Sequence, residues 1–381
     1  MDKPWNRRRG TAELAENGAG IGGPAFRDPA RPKTRLRVSP RDFLGAARNA
    51  AELSITLFGL ILVTFLIGRT LPIDPILAIV GDKATPDVVA RVKTELGLDR
   101  SLIEQFWIYL KGLARGDMGT SVMTGQPVLT DILNFFPATM ELATFGMIAA
   151  TAVGVPLGVL AASRQGSVFD NVVRIVTIVG LSVPIFVLGL LGLLVFYVKL
   201  DLVPGTGRQD VLFDGFIEER TGFLVIDCLL ARDWEALRDV LAHLLLPGLL
   251  LAFITFSLIA RMTRAFMLDS LRGEHIVAAR AKGLSSTRIL WRHGFGNIVG
   301  KLLTVLALAY AGLLEGAVLT ETVFSWPGLG LYLTRSLLNA DMNAVLGATL
   351  VIGAVYVLLN LLADIGHRLL DPRLSERSGA R

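Results

Sequence analysis

The sequence predicts an all-α membrane protein with six transmembrane helices. Of its 381 residues, 52% are hydrophobic and only 19% are charged, which is more apolar than soluble domains usually are. The mean hydropathy is +0.56. A bilayer core needs roughly 20 mostly apolar residues per helix. Six windows approach this length, the first and fourth of them with help from neighbouring turns: 53–67, 140–162, 172–198, 244–259, 302–319 and 345–363.

Lys and Arg are concentrated in alternate loops between these windows. With the N-terminus placed inside, the inner loops hold 25 Lys and Arg against 10 Asp and Glu, and the outer loops hold 12 against 18. Cytoplasmic loops carry the excess of Lys and Arg. We therefore expect both termini in the cytoplasm and an even number of spans. The net charge of +5 then reflects orientation in the lipid bilayer and not nucleic-acid binding.

The two ends of the chain differ from the apolar middle. Residues 1–40 contain three consecutive arginines, a Gly-rich stretch and scattered prolines, with no apolar period, which predicts a disordered cytoplasmic tail. A long polar segment before the first window argues against a cleaved signal peptide. We expect a transmembrane domain at residues 41–372 and a short cytoplasmic tail at 373–381.

Two outer segments predict short helices that do not span. Residues 85–96 and 102–113 repeat apolar residues at spacings of three and four, with capping candidates at Thr85-Pro86 and at Asp99 or Ser101. Helices so short and polar are expected to lie at the membrane interface. The second outer segment, 199–241, is acidic and turn-rich. Its last residues, 233–241, predict another short helix.

Residues 274–284 form the most informative loop on the inner side. Small alanines precede Gly283, and Ser285 and Ser286 can cap a following helix. This pattern predicts two short helices joined at a sharp bend, with Arg280 and Lys282 supplying charge. Such a bend can receive a push from a soluble partner. An ordinary loop with inner-side basic charge is the alternative interpretation.

This loop and six further motifs resemble the permease subunits of ABC importers, specifically the dipeptide, oligopeptide and nickel permease family. The loop matches over residues 274–301 with its Ala-Arg-Ala-Lys-Gly-Leu run, and the motifs together cover about residues 50–372 in order and spacing. The further motifs are Glu95-Leu96-Gly97-Leu98-Asp99-Arg100, Gly116-Asp117-Met118-Gly119-Thr120-Ser121, Pro137-Ala138-Thr139-Met140-Glu141-Leu142, Gly180-Leu181-Ser182-Val183-Pro184-Ile185-Phe186, Ala260-Arg261-Met262-Thr263-Arg264 and Glu321-Thr322-Val323-Phe324-Ser325-Trp326-Pro327-Gly328-Leu329-Gly330.

The resemblance implies a type I ABC importer permease fold in the bacterial inner membrane, with the short outer helices at the extracytoplasmic interface. It identifies residues 270–301 as the ATPase-coupling loop. The implied contact residues are Ala279, Arg280, Ala281, Lys282, Gly283 and Leu284. Three positions depart from the family pattern: Lys301 replaces a proline, Val277 stands where the general coupling motif has Glu, and Ile73 replaces a glycine in Pro72-Ile73-Asp74-Pro75.

The resemblance also implies the partners. A second homologous permease completes the pore, two ATPase subunits use ATP and Mg, and an extracytoplasmic substrate-binding protein delivers a short peptide or a similar small solute. The chain contains no Gly-x-x-x-x-Gly-Lys-Ser/Thr phosphate loop. We therefore expect no cofactor in this chain and ATP hydrolysis in its partners.

Polar and helix-breaking residues within the windows are further candidates. Glu315 lies inside the fifth window, where a charge is costly and tends to mark a transport pathway or an interhelical contact. Gly180 and Pro184 predict a kink in the third span, either a hinge or a static bend. Glu141, near the end of a span, is expected to be structural. Trp326 lies in a tight turn and is expected to be an interfacial anchor or part of a gate.

Two other function classes remain as alternatives. An ion-gradient-driven secondary transporter of this size commonly has more spans, paired broken helices and internal symmetry, and none is evident in the sequence. An intramembrane enzyme needs paired catalytic groups at matched depth, which the windows do not offer. The four histidines do not group at metal spacing, so we expect no metal site and no enzyme.

Overall fold

The computed structural model describes the backbone of residues 40–70 and 84–370, apart from positions 96, 98, 214, 216, 218 and 219. The chain divides into two units, Met1–Ala50 and Ala51–Arg381. In the first unit, the described residues 40–50 are helical. The predicted tails, except residue 40, and the Pro72–Pro75 motif lie outside the described residues.

The regular structure of the described residues is helical, with an isolated bridge between Thr120 and Pro127. The helices are α1 Pro40–Thr70, α2 Pro86–Glu95, α3 Leu102–Ala114, α4 Val128–Ser163, α5 Val168–Ser182, α6 Ile185–Gly192, α7 Leu224–Ala231, α8 Trp234–Leu271, α9 Glu274–Ala281, α10 Val299–Phe324, α11 Leu329–Leu338 and α12 Met342–Leu370. A π-helix, Leu193–Lys199, continues α6. A single turn Ser286–Arg288, a π-helix Ile289–Gly294 and a 3-10 turn Phe295–Asn297 connect α9 to α10.

Four of the described helices, α4, α8, α10 and α12, are long and apolar enough to cross a bilayer. A fifth span arises if α5 and the α6 segment through Lys199 are counted together. The first predicted window falls on α1, where Ser54–Arg69 is a shorter apolar stretch. The all-α membrane fold is confirmed, and each predicted window coincides with a helix. Four or five spans meet the length requirement, so the predicted count of six is not fully reached.

The spans place the connecting segments at two ends of the second unit. Residues 164–167 and 272–298 form the basic end, with six Lys and Arg against one Glu. The described residues of 115–127, 200–233 and 325–341 form the acidic end, with five Lys and Arg against six Asp and Glu.

The predicted kink in the third span is present. The axes of α5 and the α6 segment meet at 101°. Val183 is extended, with φ −91 and ψ 127, because the residue before a proline avoids the helical region. Gly180 serves a different purpose, since a β-carbon there would overlap the Ser257 hydroxyl on α8. The bend therefore comes from Pro184, and Gly180 permits close packing.

The short amphipathic helices are also present. Ser101 caps α3 in a capping box: its hydroxyl accepts from the Glu104 N–H, and the Glu104 carboxylate accepts from the Ser101 N–H. The separate helix predicted at 233–241 is wrong, because these residues form the first turns of the 38-residue α8. Asp233 is the N-cap of α8, and its carboxylate accepts from the Ala236 N–H.

The centre of the fold is the contact between α4 and α8, where glycines bring the two backbones together. β-Carbons at Gly146 and Gly154 would lie 3.2 Å from Leu251 and 3.1 Å from Ile259. A β-carbon at Gly158 would lie only 2.7 Å from both the Ala260 carbonyl oxygen and Thr263 Cβ. Small residues are the usual means of close helix packing in membranes.

We expect Gly158→Ala to destabilise the protein by about 1–3 kcal/mol, because the new methyl group meets a backbone carbonyl that cannot move alone. Thermal unfolding in detergent, followed by size-exclusion chromatography, measures the change. Gly300→Ala is the control, since nothing lies within 4 Å of a β-carbon there. Equal stability of the two variants would contradict the close-packing role of Gly158.

Candidate functional site

The bend predicted at the basic end is formed by α9 and the residues after it. Gly283 has φ +73, a backbone conformation that glycine adopts without strain. Its N–H donates to the Arg280 carbonyl (2.9 Å), and the Leu284 N–H donates to that of Ala279 (3.3 Å). These bonds end the helix in a left-handed turn. Ser285 takes the N-cap position of the next turn, although no side-chain hydrogen bond caps it.

The two faces of α9 differ in burial. Ile276 and Ala279 are buried and form a cluster with buried Ile289 and half-buried Leu271 and Leu284. The opposite face is exposed. It consists of Val277, Ala278, Arg280, Ala281 and Lys282, with Gly283 following. Of the predicted contact residues, Ala279 thus points inward and Leu284 is half-buried, while the other four are open to a partner.

The bend is attached to the central helix pair. The Ser270 hydroxyl at the end of α8 donates to the Gly294 carbonyl (3.0 Å). Val159 and Ala162 of α4, Met267 of α8 and Ile298 form one buried cluster. The segment that follows α9 is therefore packed against the ends of α4 and α8.

A second link at the basic end joins α5 to α8. The Arg264 guanidinium donates to both carboxylate oxygens of Asp170, from Nε at 2.5 Å and from Nη2 at 2.8 Å. The Gly166 N–H also donates to Asp170, and the Asp170 N–H donates to the Ser167 hydroxyl. The Asp170 side chain is 1% exposed. This ion pair fixes the start of the bent segment to the helix that precedes α9.

Glu321 organises the acidic end, a role that the sequence analysis did not assign. Its buried carboxylate accepts from the Thr139 hydroxyl (2.6 Å) and from the Gly330 and Leu331 N–H groups (2.7 and 3.0 Å). The Leu329 N–H donates to Thr139 Oγ1 (2.7 Å). Glu321 and Thr139 therefore satisfy the first N–H groups of α11, which have no partner within the helix.

Trp326 lies beside this carboxylate and is fully buried. Its indole N–H donates to the Ala138 carbonyl (3.0 Å). The expected interfacial anchor is therefore wrong: Trp326 is a core side chain that joins the turn after α10 to α4. A buried Trp requires a partner for its N–H, and only the folded chain brings Ala138 to it.

Glu141 and Arg208 form a buried ion pair next to Trp326. Arg208 donates to Glu141 Oε2 from Nε (3.0 Å) and Nη2 (2.6 Å), and also to the Gly222 carbonyl (2.8 Å). The Val225 N–H donates to Glu141 Oε1 (2.8 Å). The guanidinium carbon lies 5.9 Å from the Trp326 ring centre. The structural role expected for Glu141 is present, and the pair ties the 200–233 segment to α4.

Two aspartates complete the hydrogen bonding at the acidic end. Asp341 accepts from the Ser121 hydroxyl and the Met123 N–H. Asp131 accepts from the Thr124 and Tyr332 hydroxyls. Burial and then the nearby Asp131 charge raise the pKa of Tyr332 well above its ordinary value, so the phenol stays protonated and donates. The motifs at 116–121, 137–142 and 321–330 thus meet in one place.

Glu315 is exposed on the surface of α10. The described residues provide it with neither a hydrogen bond nor an ion pair. Gly180 and Pro184 lie at the α5–α6 bend described above, where the neighbouring Leu181 and Ile185 line a small cavity with residues of α8 and α10. Histidine, cysteine, aspartate and glutamate form no group suited to a metal within the described residues.

Comparison with known proteins shows the family to which this chain belongs. Residues 154–376 match the family described as binding-protein-dependent transport system inner membrane component. Residues 43–143 match its N-terminal counterpart. The chain belongs to this family.

Curated relatives match over nearly their whole length. The chain is 41% identical to the probable D,D-dipeptide transport system permease protein of Escherichia coli, over 86% of this chain and 96% of that protein. It is 40% identical to the di/tripeptide transport system permease protein of Pseudomonas aeruginosa, over 86% and 97%. It is 37% identical to the dipeptide transport system permease protein of Escherichia coli, over 84% and 96%.

These matches confirm the resemblance found in the motifs. The chain is a permease subunit of an ABC importer in an inner membrane transport system, and it is not an enzyme. The matches offer no support for an ion-gradient-driven transporter. The motifs at 137–142 and 321–330 build the Glu321 network of this permease, whereas that at 260–264 contributes Arg264 to the basic end.

Proposed function

We propose that this chain forms half of the translocation pore of an ABC importer for short peptides. A second homologous permease would supply the other half, two ATPase subunits would drive transport, and an extracytoplasmic substrate-binding protein would deliver the peptide. The peptide substrate is supported by relatives named for dipeptide and di/tripeptide transport that match along at least 96% of their length. The chain carries no cofactor in this proposal, and ATP and Mg act in the ATPase subunits.

In this proposal the basic end and both termini face the cytoplasm. The support is the excess of Lys and Arg at that end and its reversal at the acidic end. The acidic end then faces the substrate-binding protein, and the amphipathic helices α2 and α3 lie at the outer interface.

The observation that carries the coupling role is the division of α9 into an anchored face and an open face. Ile276 and Ala279 are fixed to the body of the protein, whereas Val277, with a side chain that is 64% exposed, has no apolar cover. A groove in an ATPase subunit would cover Val277, Ala278 and Ala281. Closure of the ATPase pair would push α9, and the contacts of Ser270 and Met267 would move α8 and α4 with it.

The test is substrate-stimulated ATP hydrolysis and peptide uptake in vesicles that contain the full complex. Gly283→Pro cannot adopt φ +73 and removes the N–H bonded to Arg280, a local cost of about 3 kcal/mol. We expect it to lower uptake and stimulated hydrolysis about tenfold or more. Unfolding of the α4–α8 core should stay near the wild-type temperature.

Gly283→Asn is the matched control, because Asn tolerates the left-handed region and nothing lies within 4 Å of a β-carbon there. It should retain most of the uptake. If Gly283→Pro kept wild-type uptake and stimulated ATP hydrolysis, the bend would have no role in coupling. Uptake that continues without the ATPases, or that follows an ion gradient, would contradict the importer assignment.

A further inference from the structure

Glu315 is a carboxylate in the middle of an apolar span. It lies nine residues before the end of α10, which places it roughly 14 Å along the helix from the acidic end. The helix is 26 residues long and apolar enough to cross the bilayer. Its side chain is exposed in the single chain, and Leu308 and Leu319 on the same face are 51% and 50% exposed.

Three buried carboxylates of the described helices are satisfied within the chain. Glu141 is paired with Arg208, Asp170 with Arg264, and Glu321 with Thr139 and two backbone N–H groups. Glu315 has no such partner among the described residues. Because an ionised carboxylate facing hydrocarbon costs several kcal/mol, lipid is an unfavourable neighbour for this face of α10.

The composition of this face also favours water. Exposed positions recur along it at spacings of one or two turns: Lys301, Leu308, Gly312, Glu315, Leu319 and Thr322. By contrast, the groove between the α6 segment and α8 is lined by apolar residues and glycine, with a volume of about 590 Å³. That groove suits lipid or a packed helix. The α10 face carries one charge within the span, Glu315, and has Lys301 and Thr322 towards its two ends, so it suits an aqueous path better than that groove does.

A largely apolar cavity lies against the segment of α10 that carries Glu315. Its volume is about 170 Å³, and it lies between the α5–α6 bend, α8 and α10. Leu181 and Ile185 line it from the bend, Leu251 from α8, and Gly312 and Gly316 from α10. Gly312 and Gly316, three positions before and one position after Glu315, line the cavity, so the carboxylate belongs to the segment of α10 that forms one wall of it. A negative charge beside a small apolar cavity complements an ammonium group that carries an apolar side chain.

We propose that Glu315 and this cavity form a peptide subsite in the translocation path. The Glu315 carboxylate pairs with the N-terminal ammonium of the peptide, and the cavity holds its first apolar side chain. The subsite rests on the proposed import of peptides. It adds a substrate contact within the pore to the selection made by the substrate-binding protein.

Uptake in vesicles containing the full complex tests the ammonium contact. Glu315→Gln should reduce the uptake of the dipeptide Leu-Ala about tenfold, the loss expected for one charged contact worth about 1.4 kcal/mol. ATP hydrolysis stimulated by the loaded binding protein should continue. Glu315→Asp should retain most of the uptake. Gly312→Leu, which enters open space on this face, should reduce the uptake of Leu-Ala more than that of Gly-Ala.

Water access provides a readout that a structural role would not change. The chain has a single cysteine, the buried Cys228, so Cys228→Ser gives a cysteine-free background. In that background Glu315→Cys should react with a membrane-impermeant maleimide, and Leu-Ala should slow the reaction. Leu358→Cys is the control, because Leu358 is similarly exposed at 53% but lies among apolar residues of α12.

Three outcomes overturn the subsite: Glu315→Gln imports Leu-Ala at the wild-type rate, Glu315→Cys reacts no faster than Leu358→Cys, or Glu315→Gln chiefly lowers recovery of the assembled complex. The last result would assign Glu315 to an ion pair with the second permease. Failure of the proposed function is distinguishable, since the wild-type complex would then hydrolyse ATP but import no dipeptide.

Discussion

Replacing Arg208 with alanine is expected to destabilise the protein by about 3–5 kcal/mol, the cost of leaving one member of a buried ion pair alone. Arg208 and Glu141 are only 9% and 6% exposed. Without Arg208, the Glu141 carboxylate keeps the Val225 N–H as its one donor among the described residues. The Gly222 carbonyl also loses its donor. Thermal unfolding of the purified protein, monitored by intrinsic fluorescence, should show a clear drop in the midpoint.

The control for this variant is Arg238→Ala, since Arg238 is exposed in the first turns of α8 and its loss should change stability by less than about 0.5 kcal/mol. The double variant Glu141→Ala, Arg208→Ala should be more stable than the sum of the single losses predicts, because it leaves no buried charge unpaired. Additive losses, or an Arg208 variant as stable as the control, would show that the pair contributes little.

Local patterns were sufficient to predict much of the fold. Apolar length identified α4, α8, α10 and α12, because a span must be apolar along its whole length whatever it packs against. Backbone chemistry identified the two breaks: Pro184 cannot donate and constrains Val183, and Gly283 adopts a positive φ. These features depend on residues within one or two turns of each other, so they can be recognised without knowledge of the fold.

The ion pairs of the two ends could not be predicted in the same way. Arg208 is 67 residues from Glu141, and Arg264 is 94 residues from Asp170. Charge patterning indicates which end of a span a residue occupies, but it does not indicate which opposite charge it will meet. Trp326 was misassigned for the same reason, because its partner Ala138 is 188 residues away.

The role of Glu315 was only half predicted. Its position inside a span was visible in the sequence, and that position restricts it to a pathway or a polar contact. Which of these applies depends on the direction of the side chain and on its neighbours. The folded chain leaves the side chain on the open face of α10, whereas Glu321, six residues later on the same helix, is turned inward and fully satisfied.

Replacing Arg264 with leucine is expected to cost about 3–5 kcal/mol as well, because Asp170 is almost fully buried and would lose both hydrogen bonds from the guanidinium. Arg264 itself is 20% exposed, so the loss should lie towards the lower value. The Gly166 N–H remains bonded to Asp170 and limits the damage. Thermal unfolding measures the change, with Arg261→Leu as the control one turn earlier on α8, where the side chain is exposed.

The Arg264 variant should also separate ATP hydrolysis from uptake. α8 is followed directly by α9, and the Asp170–Arg264 pair joins α5 to α8 near that end. In the proposed mechanism this pair links a push on α9 to the α5–α6 bend. We expect Arg264→Leu to lower peptide uptake more than stimulated hydrolysis, measured together in the same vesicles. If uptake and stimulated hydrolysis fell equally, the Asp170–Arg264 pair would only stabilise the fold and would have no part in coupling. Unchanged uptake in a correctly folded variant would mean that the bend moves with α8 through packing at Gly180 alone.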